Sequence, residues 1–166
     1  HVLAKEYPEA GDIVKTVMNY QVFFNRDEIK SKQLDFDNIK QTVVNVLKED
    51  PSVLYACDMA KASTESIPEE VKSRIINGYN RERSGDVVII LKPNFYAHGM
   101  KGTDHGAWNS YDTHIPLVFM GWGIKHGATT KQTFMTDIAP TIAAMLHVQA
   151  PNGCVGKAIF GNNICQ

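Results

Sequence analysis

Apolar and polar positions along the chain fall into short blocks whose spacing alternates between that of helices and that of strands. Ile13, Val14, Val17 and Met18 recur as on one face of a helix, which predicts a short helix running into a strand at Tyr20–Phe24 (YQVFF). Asp35 or Asp37 is placed to cap a second helix, whose stripe is Ile39, Val43, Val46 and Leu47 and which Asp50-Pro51 ends. Val53 to Asp58 reads as the next strand. Ser66 with Glu69 fits a capping box for a helix carrying Val71, Ile75 and Ile76, stopped at Asn77-Gly78. The run Val87 to Leu91 is apolar at every position, and a strand with that pattern belongs in the middle of a sheet, covered on both faces.

After that run the periodicity stops. Pro93 to His114 is rich in Gly, His, Asn and Asp, and a loop of that length inside a compact domain usually carries function. Ile115 to Met120 reads as a further strand. Thr136 is placed to cap a last helix with Ile138, Ile142, Met145 and Leu146 on one face, and Pro140 is tolerated there because it falls in the first turn. Strands separated by helices predict an α/β fold, a layered sheet with helices packed on it. We expect about four or five strands, mostly parallel, with Val87 to Leu91 central and most buried.

Composition narrows the function classes. Of 166 residues, 43% are hydrophobic, enough to build a core. Seventeen basic against eighteen acidic side chains leave a net charge of −1, with a pI near 6.6, which argues against a nucleic-acid backbone or an anionic membrane surface as the main partner. No apolar run approaches the roughly 20 residues a membrane span needs. The opening residues, from His1, have neither the basic nor the apolar region of a secretory signal, which leaves a longer precursor open. Three cysteines leave at least one unpaired within the chain. Cys57, in an apolar stretch, is expected to be a buried thiol, whereas Cys154 and Cys165 flank a turn-rich segment that a disulfide could close.

The chemistry concentrates in residues 98–127, which hold His98, His105, His114 and His126 together with Asp104 and Asp112. Any one of these histidines alone reads as a surface side chain. Their position between two predicted strands matters more, because loops beyond strand ends are where α/β sheets bind ligands. Gly102 and Gly106 flank Asp104-His105 and permit close backbone approach. A self-contained metal site built from His98, His105 and His114 would require the loop to fold back on itself.

The run GTDHGAWNSYDTHIPLVFMGWGIK (102–125), followed by TDIAPTIAAML (136–146) and PNGCVGK (151–157), resembles the C-terminal part of the alkaline phosphatase superfamily. The look-alikes are bacterial alkaline phosphatases of the type I phosphodiesterase and nucleotide pyrophosphatase branch. The likeness is strong over 85–160 and looser upstream. It implies an alkaline-phosphatase-like fold in which 1–84 form a cap-like helix and strand segment and 85–166 carry the metal-ligand loop and the final strand and helix. It also implies a centre of two zinc ions bridged by a Thr or Ser nucleophile. The last ligand in chain order is the His of a G-T-x-H-G motif, which is His105 here. His114, in YDTHIP, matches the pattern as a residue that orders the loop or supports a ligand.

The family's nucleophile and its other aspartate and histidine ligands have no counterpart in residues 1–84. The chain is therefore expected to be a C-terminal portion of a larger zinc-dependent phosphate-ester hydrolase. It would hold no catalytic nucleophile of its own, be inactive alone, and self-associate through the surface the missing part would cover. Phosphate monoesters are the expected substrates, with phosphodiester or sulfate-ester hydrolysis as the alternative within the superfamily. A non-catalytic binding or assembly domain is the alternative outside it. Family resemblance implies a periplasmic or extracellular location, where a Cys154–Cys165 bond would be permitted.

Overall fold

A computed structural model describes residues 2–8, 12–96, 105–121 and 123–160. The chain divides into two units, His1–Ile115 and Pro116–Gln166.

In the first unit a short helix α1 (Val2–Glu6) precedes strand β1 (Val14–Met18), which turns at Asn19-Tyr20 into β2 (Gln21–Phe24). The expected helix before YQVFF is thus a strand. Met18 pairs with Gln21, and the two residues between them have φ of +50° and +58°, the left-handed pair that a two-residue hairpin turn requires. Helices α2 (Arg26–Ser31) and α3 (Phe36–Glu49) follow, then β3 (Val53–Asp58), a 3-10 segment Met59–Thr64, α4 (Glu69–Gly78) and β4 (Val87–Leu91).

Asp35 caps α3, its carboxylate accepting the Asn38 N–H at 3.1 Å. The buried face is Ile39, Lys40 and Val44, rotated from the expected stripe so that Val46 is exposed. Pro68, not Ser66, occupies the N-cap of α4 and makes no side-chain cap, so the capping box does not form. Proline suits a helix start because its fixed φ is pre-set for the first turn and its missing N–H has no helical partner to lose.

Among the described residues four strands lie in the order β1-β2-β4-β3, and each of their pairs is antiparallel. That corrects the expectation of a mostly parallel sheet. Periodicity reports which faces of a strand are buried and carries no direction. β4 is internal, as its unbroken apolar run predicts. Val87 packs into a core with Ile13, Val22, Phe24, Ile39 and Ala56 on one face. Val88 and Ile90 pack with Cys57, Met59 and Ile75 on the other. The sheet is therefore a middle layer, with α3 on one side and α4 with the 3-10 segment on the other. Cys57 is fully buried, and burial, with the nearby Glu65 and Asp58 carboxylates, pushes its thiol up to about 11.

Two buried carboxylates tie the layers together at one end of the sheet. Asp86 accepts the Phe24 N–H at 3.1 Å and pairs with Arg26, continuing the β2–β4 contact past the last ladder bond. Asp58, ending β3, accepts the Ala60 N–H at 3.0 Å and the ammonium of Lys40, a residue only 7% exposed whose side chain also lies over the Phe36 ring. Burial works against the charge on Lys40, yet its hydrogen bonds to Asp58 and Asp37 outweigh that and hold its pKa above the ordinary value.

The second unit holds a 3-10 turn (Met135–Asp137) leading into helix α6 (Ile138–Met145), with Pro140 buried in its first turn. The Asp137 carboxylate accepts the N–H of Phe134 and of Lys157, both at 2.9 Å. Thr141 donates to the Asp137 carbonyl and accepts the Ile159 N–H at 3.0 Å. Gly156 is held so close to Thr136 that a Cβ there would lie 2.0 Å from its carbonyl oxygen, so no other residue fits. Ile115 to Met120 is irregular and not the expected strand, and Val118 and Met120 are 80% and 94% exposed. Cys154 is half-buried, and its proposed partner Cys165 lies outside the described residues.

Candidate metal-ligand loop

The segment after β4 is built on the first unit from the bottom up. Tyr20, placed by the hairpin turn, lines a small apolar recess together with Ile89, Leu91, Phe95 and Trp108. Trp108 packs against the second core, with the Arg74 guanidinium 6.0 Å from its ring centre. Gly106 passes over Tyr20 with φ +128°, and a Cβ there would stand 3.0 Å from the ring carbon Cε2. Glycine is the residue that both the dihedral and the contact allow. The short helix α5 (Ser110–Thr113) then brings the chain back, steadied by the Tyr111 hydroxyl, which accepts from Asn109 Nδ2 at 3.0 Å and from the Asn94 N–H at 3.3 Å.

That return places Asp112 against His105. One carboxylate oxygen lies 2.6 Å from His105 Nδ1, and the other accepts the N–H of Gly106 at 2.8 Å and of Ala107 at 2.7 Å. The His105 side chain is 90% exposed and that of Asp112 only 14%. Hydrogen bonding to His105 first, then to the Gly106 and Ala107 amides, holds the Asp112 carboxyl below the ordinary carboxylate range. A carboxylate on one ring nitrogen of a histidine is the support that metal-binding imidazoles typically have.

Asp112 is the residue that sequence reasoning left without a role. Its spacing of seven from His105 gives no helical or strand signal, and only the turn at α5 makes the two neighbours. His114, at the C-cap of α5, is exposed and its backbone N–H donates to Ser110. His98, Gly102, Thr103 and Asp104 lie outside the described residues. His126 is exposed. Among the described residues, no three His, Cys, Asp or Glu side chains converge to hold a metal ion. His105 with Asp112 is an exposed imidazole backed by a carboxylate, and no further His, Cys, Asp or Glu among the described residues joins them in a metal-holding group.

The fold is that of part of an alkaline phosphatase. The chain matches the crystal structure of wild-type alkaline phosphatase PafA with a TM-score of 0.85 and 48% identity, over 95% of this chain and 31% of that one. A PafA mutant structure matches equally, at 49% identity. In sequence the chain is 50% identical over 151 residues to alkaline phosphatase PafA of Elizabethkingia meningoseptica, and 49% identical over 144 residues to alkaline phosphatase PhoV of Synechococcus elongatus. It is also 47% identical over 151 residues to a protein of Myroides odoratus named calcium-transporting ATPase. These alignments cover 90%, 87% and 90% of this chain but only 28%, 26% and 28% of the relatives. No protein-family model matches the chain. The relatives are alkaline phosphatases by name in two cases, so the chain is similar to a part of a phosphatase-type hydrolase.

Proposed function

We propose that the chain is a C-terminal portion of a zinc-dependent phosphomonoesterase of the alkaline phosphatase superfamily, on its phosphodiesterase and nucleotide pyrophosphatase branch, exported to the periplasm or cell surface. The observation that carries this reading is His105. It stands exposed on a loop fixed to the sheet from below, with a carboxylate on its Nδ1, and the surrounding sequence is about half identical to two alkaline phosphatases. His105 would be one zinc ligand, coordinating as neutral imidazole, and His114 would help order the loop at the end of α5. Bound zinc would lower the pKa of an oxygen nucleophile and offset charge on the departing oxygen. This chain's own contribution is to hold that imidazole in place. On this reading the nucleophile and the remaining ligands would lie outside this chain, which spans 28%, 26% and 28% of the relatives' length. The ATPase name of the third relative is compatible with this reading, since a phosphate anhydride presents the same terminal phosphoryl group; phosphodiester or sulfate-ester hydrolysis is the alternative.

The test is His105→Ala in the complete enzyme, with phosphomonoester hydrolysis and bound zinc measured together. Turnover should fall by orders of magnitude and recover in part in excess zinc, since one ligand of about three is lost. His126→Ala should behave as the parent enzyme. Normal activity and zinc content in His105→Ala would refute the ligand assignment.

A further inference from the structure

The carboxylate of Asp112 does two separable jobs, and their combination points beyond a generic support. One oxygen is occupied by two backbone N–H groups, Gly106 and Ala107, while the other meets only the imidazole. A carboxylate cannot donate, so at neutral imidazole the Nδ1 atom must carry the proton in this contact. The second oxygen cannot rotate away, because the two amides hold its partner. The carboxylate is also three-quarters or more sheltered, on a helix closed by the Thr113 and His114 backbone amides.

We propose that Asp112 is a positioning residue that sets the tautomer of His105, keeping the proton on Nδ1 so that Nε2 presents its lone pair to the zinc. The assignment rests on the reading of His105 as a ligand, but the tautomer itself is a property of this chain without metal. The geometry also explains why the loop bends back through α5 at all. The turn brings a fixed acceptor to the one ring nitrogen that must not coordinate. In this role Asp112 acts through His105, the side chain its second oxygen meets.

Asp112→Asn separates this role from loop support. The substituted amide can turn its oxygen to the Gly106 and Ala107 N–H groups, leaving its NH2 against Nδ1. An NH2 there can only donate, so Nδ1 must accept and the proton moves to Nε2. Nitrogen NMR of histidine-labelled protein, near about pH 8.5 where imidazole is neutral, reads the tautomer directly, with the His105 signals assigned by their loss in His105→Ala. The parent should show protonated Nδ1 and unprotonated Nε2, and Asp112→Asn the reverse, with the Ala107 amide still protected from exchange. In the complete enzyme the variant should hold zinc about 10- to 100-fold more weakly. A parent already protonated on Nε2, or a variant that keeps the parent tautomer and zinc affinity, would overturn the proposal. Loss of Ala107 protection with an unchanged tautomer would reduce Asp112 to loop support and would equally overturn it. A parent enzyme that binds no zinc, with the tautomers as expected, would strike the metal reading instead.

Discussion

Gly106→Ala tests whether the loop carrying His105 is held as tightly as its contacts indicate. The new methyl must either stay where it is built or turn away. If it stays, an alanine is held at φ +128°, outside the left-handed well, at about 1–3 kcal/mol. Its Cβ also presses on a Tyr20 ring whose own backbone is committed to the hairpin turn at φ +58°. If it turns away, the residue-106 N–H leaves the Asp112 carboxylate, and a hydrogen bond to a charged acceptor contributes about 1.5–3 kcal/mol. The two costs are alternatives and do not add, so local destabilisation near 2 kcal/mol is expected by either route. Amide exchange of Ala107, which donates to the same carboxylate, should quicken about 30-fold, the equivalent of 2 kcal/mol. Gly78→Ala is the control. It ends α4 with open space around the added methyl and should be neutral or stabilising by up to about 1 kcal/mol. Unchanged Ala107 exchange in Gly106→Ala would refute the account of how the loop is fixed.

Lys40→Met should destabilise the first unit by about 3 kcal/mol in denaturant unfolding, because Asp58 is left buried and charged with only the Ala60 amide. Adding Asp58→Asn should recover much of that loss. The same change should shrink the acid limb. Lys40 and then Lys61 hold the Asp37 pKa down from 3.8 to about 2, so this small, exposed contribution is complete above 3.8 and lost as pH falls through about 2. Cys57 should resist thiol reagents at pH 8 in the native state and react in denaturant, since only about one thiol in a thousand is ionised when the pKa is near 11. Its burial favours the neutral thiol, so stability from this group should decline as pH rises from 9.0 toward 11, followed by alkaline melting.

Where burial and local capping decided the outcome, the sequence was readable. The unbroken run Val87–Leu91 marks a strand covered on both faces, Asp35 marks a helix start, and Cys57 sits in the core its neighbours announce. Val14–Met18 misleads because its apolar spacing matches a helix face, while the turn that makes it a strand uses Asn19 and Tyr20, neither of them glycine. β3, α4 and β4 resemble a parallel crossover in their order, and the antiparallel pairing follows from where α4 returns the chain. Ile115–Met120 has strand composition, but composition cannot supply a pairing partner. In the site, the GTDHG motif singled out His105, whereas Asp112 became its neighbour only through the four residues of α5.

The strand order also constrains how the first unit can assemble. β3 and β4 meet across a closure of 29 residues, from Asp58 to Val87, whereas Gln21 and Val88 meet across 67. The longer closure costs only about 0.7 kcal/mol more in chain entropy, so distance along the chain is a weak barrier. β2 and β4 share just two paired positions, and the Asp86 carboxylate must bridge to Phe24 and Arg26 to complete the seam. The β1–β2 hairpin and the β3–α4–β4 segment therefore meet along the narrowest pairing in the sheet. Tyr20 comes from the first of these and the loop bearing His105 follows the second, so the recess on which that loop rests exists only once the seam has closed.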